Sequence, residues 1–241
     1  LILNRQDAKF KNLASWRFYS LFPVIIQAMT YTTIFFDLDD TLYPHESGLW
    51  QGIKDRISLY MHEKLGFSWD EIPAQREEYF LKHGTTLRGI QANFDVDESA
   101  YHAYVHQLPL DAYIAPDPNL RALLEHLPQK RIIFTSADAK HAQRVLAHLQ
   151  ISDYFEQILD IYAIAPHAKP QPEAFARAME IVRESDPHNC VMIDDLPRTT
   201  RAAKDFGFFS ILKGDKGNAN DADARLENWK DLPYILNGKK P

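Results

Sequence analysis

The sequence predicts an α/β protein, a doubly wound parallel sheet with helices on both faces and an all-helical domain inserted after the first strand. Three observations carry that reading. Short apolar runs rich in β-formers recur at residues 34–36, 131–134, 157–161, 190–193 and 208–212. From residue 115 onward they alternate with helical patterns, which implies right-handed crossovers and a parallel sheet. Residues 45–112, between the first and second runs, carry helical patterns only.

The elements follow in order. The run Ile34-Phe35-Phe36 rises out of Thr32-Thr33 and stops at Asp37, as a buried strand ending in a cleft does. Leu49, Ile53, Ile57, Tyr60, Met61 and Leu65 then fall at helical spacing, and Gly66 closes the run. Ser68 and Glu71 have capping-box spacing, with Pro73 near the first turn of a helix expected over residues 75–82. A further helix is expected over 97–107, stopped by Pro109. Beyond it, helices are expected over 118–126, 138–149, 172–184 and 197–206, the last closed by Gly207. Residues 214–223 read as a polar surface loop, and the tail from Trp229 to Leu236 has enough apolar side chains to dock on the core. The domain organisation is thus a core of 29–44 and 113–241, a helical insertion of 45–112, and an upstream extension of 1–28 outside the fold. Met29 immediately precedes the first strand, which makes it the expected natural start. The apolar patch at 18–26 is too short to span a bilayer and contains a proline, so no membrane partner is expected.

Composition narrows the function. An apolar content of 45% and a charged content of 25% are those of a soluble globular chain. A net charge of −6 argues against nucleic acid as a partner. The single cysteine, Cys190, has no internal disulfide partner, which points to a reducing, cytoplasmic setting. Lying in an apolar run, it reads as a small core residue. His102 and His106 share a helical face, but no acid or cysteine stands at ligand spacing, so they read as surface or packing residues.

Three strand ends carry chemistry. One gives Asp37 and Asp39, one Thr135 and Ser136, and one Asp194 and Asp195, and a loop adds Lys169 between Ala168 and Pro170. Two residues apart on extended backbone, Asp37 and Asp39 project to one side. Held together, such carboxylates repel unless a cation neutralises them. Hard oxygen donors suit Mg²⁺, and Mg²⁺ beside an ammonium and a hydroxyl suits a phosphoryl group.

With those residues in view, the chain resembles the haloacid dehalogenase (HAD) superfamily of phosphotransferases. Its D-x-D-x-T pattern is Asp37-Leu38-Asp39-Asp40-Thr41, and its second motif is Ile132-Ile133-Phe134-Thr135. Its lysine motif is Lys169-Pro170-Gln171-Pro172-Glu173-Ala174-Phe175, and its acidic pair lies in Met192-Ile193-Asp194-Asp195. The resemblance implies a Rossmann-like core and a mobile cap formed by the insertion. It implies Asp37 as the nucleophile that becomes an aspartyl-phosphate, and Asp39 as the acid that protonates the leaving oxygen and then takes a proton from water. It implies Mg²⁺ held by Asp37, the Asp39 main-chain carbonyl, Asp194 and Asp195. Thr135, Ser136 and Lys169 would contact the phosphoryl group, and Asp40 is left as a turn residue. Residues 79–89 and 100–109 are similar to the cap of the pyrimidine 5′-nucleotidase branch, which implies a nucleotide substrate and makes Arg88 and Tyr79 candidates for reaching it. The chain departs from that branch at Ser136, Leu196 and Thr199, where the branch has Asn, Ser and Asn. A sugar-phosphate phosphatase or phosphomutase of the same superfamily is the alternative, and a noncatalytic binding module is disfavoured by the presence of Asp37, Asp39 and Lys169 together.

Overall fold

The computed structural model describes residues 31–238. The extension read upstream of Met29 lies outside the described residues. Six strands form one parallel sheet in the order β3-β2-β1-β4-β5-β6. They are β1 (Thr33–Phe36), β2 (Lys130–Phe134), β3 (Gln157–Leu159), β4 (Cys190–Asp194), β5 (Phe209–Lys213) and β6 (Ala224–Leu226). The order winds outward from β1 through β2 to β3, then returns to start again at β4. The switch point therefore lies between β1 and β4, where open α/β sheets form a crevice.

The period-2 alternation of the strands sorts their side chains onto two faces. Ile34, Phe36, Ile133, Val191, Ile193 and Ile211 pack on one face. Beneath them lie α5 (Pro118–His126) and α6 (Ala139–His148). Phe35, Ile132, Phe134, Leu159 and Met192 pack on the other face with α7 (Pro172–Val182) and α8 (Pro197–Phe206). Phe35, Phe36 and Phe134 are fully buried, and each such side chain contributes about 1.5–3 kcal/mol of burial. The helix starts are specified locally. Pro118, Pro172 and Pro197 occupy first turns, where a missing N–H costs nothing, and the Asp117 side chain caps α5.

The tail docks as expected. Trp229 lies 6.2 Å from Phe36 between ring centroids, and α9 (Leu232–Leu236) buries Leu232, Ile235 and Leu236. The loop at 214–223 is less superficial than its polarity suggests. Asp221 is buried, and its main-chain carbonyl accepts a 2.8 Å bond from Thr200 Oγ1 on α8. Beyond it the chain adds β6 to the sheet edge, pairing Ala224 with Ile211.

Between β1 and β2 the regular elements are all helical. The insertion comprises α1 (Leu49–Leu65), α2 (Ile72–His83), α3 (Thr86–Gln91) and α4 (Glu98–Val105). The stripe Leu49, Ile53, Ile57 and Met61 is the buried face of α1. Only half of the capping box forms: Glu71 Oε2 accepts from Ser68 N and Oγ at 3.0 and 2.7 Å, and the helix begins one residue later. α3 packs against α2 so closely that a Cβ on Gly89 would sit 2.2 Å from Tyr79 Cγ. Among the described residues three arginines tie the insertion to the core, one of them Arg88, whose Nη2 donates to Ile161 O at 3.4 Å. Arg144 donates to the carbonyls of His106 and Leu108, and Arg198 donates to those of Phe80 and Gly84. Among the described residues no helix is long and apolar enough to cross a membrane.

Candidate active site

The parallel ladder runs one step past each central strand. Asp37 N donates to Ile193 O at 2.9 Å, and Thr135 N donates to Leu159 O at 3.0 Å. Those bonds hold the first polar residue after β1 and after β2 at the carboxyl edge of the sheet. Asp194 is the last residue of β4, so Asp37 and Asp194 face each other across the switch point.

Lys169 reaches into that gap. Its buried Nζ lies 2.7 Å from Asp37 Oδ1 and 2.7 Å from Asp194 Oδ2. Burial alone would lower the ammonium's pKa, but the charges of Asp194 and Asp37 and the hydrogen bonds to both raise it. Asp37, Asp194 and Asp195 bring one carboxylate oxygen each to within 4.8 Å of one another. Asp37 is pushed well above the usual carboxylate range by burial and by Asp194 and Asp195, against the pull of Lys169. Asp195 rises to about 6 through burial and the Asp194 charge, although Lys216 Nζ bonds its Oδ2 at 2.8 Å. Three crowded carboxyls offering only oxygen donors, with the ionised forms of Asp37 and Asp195 destabilised, fit a hard divalent cation.

Asp39 is held apart from this cluster. Its Oδ1 accepts from Tyr43 Oη at 2.7 Å and from His141 Nε2 at 2.9 Å. Burial would raise its carboxyl, but the His141 charge and hydrogen bond, with Tyr43, bring it below its ordinary value. Asp40 adopts φ 58° and is buried, with His45 Nδ1 on its Oδ2, so it is a tightly held residue and more than a turn.

A cavity of about 460 Å³ opens between the insertion and this edge of the sheet. Asp37, Asp39, Thr135, Ser136, Lys169 and Asp195 all line it. Thr135 Oγ1 also accepts from Ala137 N at 3.0 Å, which fixes the loop after β2. Leu196 and Thr199 line the cavity as well, and Leu196 N donates to Asp194 Oδ1 at 2.9 Å. Main chain at Leu196 thus orients Asp194 whatever its side chain. Gly84 closes the rim at φ 88°, where an added Cβ would lie 3.0 Å from Lys169 O.

Two candidates lie elsewhere. Arg88 pairs with Glu98 at 2.7 Å and donates to Gln91 at 3.0 Å, and it is absent from the cavity wall. Tyr79 is buried against Gly89, inside the insertion. Among the described residues two guanidiniums do line the cavity, those of Arg76 and Arg198, and the Arg198 Cζ lies 3.2 Å over the Phe80 ring centroid. Burial pulls the pKa of Arg198 down to about 10. Tyr43, His141, Lys216 and Arg198 escaped the reading of the sequence. Tyr43 alone had a local signal, an aromatic four residues beyond Asp39.

The paired histidines are not surface residues. His102 on α4 and His106 just past its end are buried, and the acid missing from their local sequence comes from the core: His106 Nδ1 donates to Asp138 Oδ1 at 2.9 Å. Burial, reinforced by the neighbouring His141, takes His106 down to about 4. Cys190 is buried at the other end of β4, and burial raises its thiol to about 12, as an inert core residue requires.

The haloacid dehalogenase-like hydrolase family matches residues 31–207, which include Asp37, Lys169, Asp194 and the whole insertion. The chain belongs to that family. This HAD hydrolase is 29% identical over 192 residues to phosphate metabolism protein 8 of Saccharomyces cerevisiae, covering 74% of the present chain. It spans only 60% of the length of that yeast relative. Its fold is that of a HAD phosphatase from Thermococcus onnurineus, with a TM-score of 0.58, 22% identity, and coverage of 87% of this chain and 100% of that one. It is also that of the HAD-hydrolase YfnB from Bacillus subtilis, described as bound to magnesium, with a TM-score of 0.54, 18% identity, and coverage of 86% and 99%.

Proposed function

We propose that this HAD hydrolase is a Mg²⁺-dependent phosphomonoester hydrolase acting through an aspartyl-phosphate on Asp37. The observation that carries the proposal is Lys169 Nζ set 2.7 Å from both Asp37 and Asp194 at the wall of a cavity. Lys169 orients the Asp37 carboxylate and faces an incoming phosphoryl group with positive charge. Asp37 attacks phosphorus in line, and the leaving oxygen departs from the opposite side. Asp39 protonates that oxygen and later takes the proton from the attacking water. Tyr43 and His141 favour the ionised carboxylate, the form that the second half-reaction needs. A phosphoryl dianion beside Asp39 raises its pKa and so favours the acid form that the first half-reaction needs. Asp37, Asp194, Asp195 and the Asp39 main-chain carbonyl would hold Mg²⁺, which neutralises the charge between an anionic nucleophile and an anionic phosphate. The magnesium described for the YfnB structure supports the choice of ion.

The leaving group occupies the cavity beneath the insertion, which acts as a cap. Trp50, Phe80 and Tyr101 line it, offering faces on which a heterocyclic base stacks. Together with the cap resemblance, this supports a pyrimidine nucleoside 5′-monophosphate as substrate, with Arg76 and Arg198 rather than Arg88 as the guanidiniums facing it. A phosphate-release screen over UMP, CMP, AMP, GMP and sugar monophosphates tests the assignment. UMP or CMP is expected to give the highest kcat/KM. Equal purine and pyrimidine rates, or a sugar phosphate ahead by about tenfold, would overturn the substrate while leaving the phosphatase reading intact.

A further inference from the structure

A second group of metal-ligating side chains stands apart from the carboxylate cluster. His102 lies in α4 of the insertion, His106 directly follows that helix, and Asp138 directly precedes α6 in the core. Their donor atoms lie within 4.8 Å of one another. Asp138 Oδ1 is 2.9 Å from His106 Nδ1 and 3.8 Å from His102 Nδ1. Donors about 2.0–2.2 Å from a tetrahedral Zn²⁺ are about 3.4 Å from each other, so the spacing brackets what the ion requires.

His102 supplies the independent observation. It is 5% exposed, yet neither of its ring nitrogens has a hydrogen-bond partner. A buried imidazole left unpaired on both sides forfeits the hydrogen bonds it makes with water, and packing alone would favour an apolar side chain there. We infer that His102, His106 and Asp138 form a binding site for a transition-metal dication of the zinc class, joining the insertion to the core. Two imidazoles and one carboxylate favour Zn²⁺ over Mg²⁺, which prefers oxygen donors alone. Ligation through His106 Nδ1 moves the proton of the neutral imidazole to Nε2, which frees Nδ1 and Asp138 Oδ1 for the ion. Three protein donors leave a position for water or for a donor from a bound ligand, and both histidines line the cavity. The flanking contacts are those of a supporting shell. His141 stacks on His106 with ring centroids 4.0 Å apart, and Arg144 Nη1 holds the His106 carbonyl at 2.8 Å. Because its ligands belong to two parts of the chain, the ion would fasten α4 to the sheet domain and oppose any lifting of the insertion.

The test is Zn²⁺ binding by the metal-stripped full chain in excess Mg²⁺, which keeps the carboxylate cluster filled. Affinity is read by competition with a chromophoric chelator, beside His102→Gln and Asp138→Asn. The inference expects one Zn²⁺ per chain with micromolar affinity or better, weakened at least about tenfold by either substitution. The Co²⁺-loaded wild type should show the visible absorption of a four-coordinate, nitrogen-ligated ion. Circular dichroism without Zn²⁺ reports whether each variant folds. If one does not, the other decides, and if neither does, the Co²⁺ spectrum decides. Absence of binding, equal affinity in wild type and a folded variant, or a Co²⁺ spectrum of oxygen donors alone would overturn the inference. None of these readings depends on phosphate release, so they stand or fall separately from the phosphatase proposal.

Discussion

Asp39 has one hydrogen-bond partner that no local pattern announces. His141 lies 102 residues away in sequence, yet its Nε2 rests 2.9 Å from the carboxylate proposed to move a proton. Replacing His141 with Leu removes a hydrogen bond to a charged group, a loss of about 1.5–3 kcal/mol that corresponds to about 10–100-fold in kcat. KM should change little, because the contact is to Asp39 and not to the substrate. His141→Gln keeps an amide donor and should recover part of the rate. Steady-state kinetics on the two variants decides this, and an unchanged kcat for His141→Leu would refute the role. The same contrast explains which site residues were legible. Asp37, Lys169 and Asp194 stand at strand ends or beside prolines, where a change of character marks them. His141 and Lys216 sit in a helix and a polar turn that look ordinary until the fold brings them to Asp39 and Asp195.

At the scale of elements, the reading succeeded where apolar periodicity is long and failed where it is short. The four-residue spacing of Leu49, Ile53, Ile57 and Met61 is enough to define α1. α3 has six residues and β6 has three, with Arg225 in the middle, and neither length displays a period. Both are fixed by what they pack on, α3 by α2 and β6 by the edge of β5. The turn between α2 and α3 carries a contact between the insertion and the core that is sensitive to one added atom. Gly84 meets the Lys169 carbonyl at φ 88°, and Arg198 Nη2 bonds the Gly84 carbonyl at 2.6 Å. Gly84→Ala should cost about 1–3 kcal/mol from backbone strain and displace the insertion from the lysine loop. The expected outcome is a lower Tm and a lower kcat/KM together. An unchanged Tm would show that the turn relaxes without disturbing the site.

The whole molecule sets an apolar, doubly wound sheet beneath an acidic edge and lays an insertion over it. The order of elements was readable because each crossover needs a helix between parallel strands. The way the insertion sits on the sheet was not readable, since Arg144, Arg198 and Asp138 act only once the two parts meet. At the edge, Asp37 and Asp195 are both raised by burial and mutual charge. A cation relieving that repulsion binds the folded chain alone and stabilises it in proportion to the logarithm of its concentration over Kd. Mg²⁺ should therefore raise the Tm, and Asp194→Asn should weaken the response. A Tm indifferent to Mg²⁺ in the wild type would remove the carboxylate cluster as its site. The central claim is that Asp37 carries the phosphoryl group. Mass spectrometry of the acid-quenched enzyme, mixed with substrate and Mg²⁺ and digested, tests it most directly. One phosphoryl group is expected on the peptide containing Asp37, absent from Asp37→Asn and from samples treated with EDTA. Rapid turnover by Asp37→Asn, or a phosphoryl group on another residue, would contradict it.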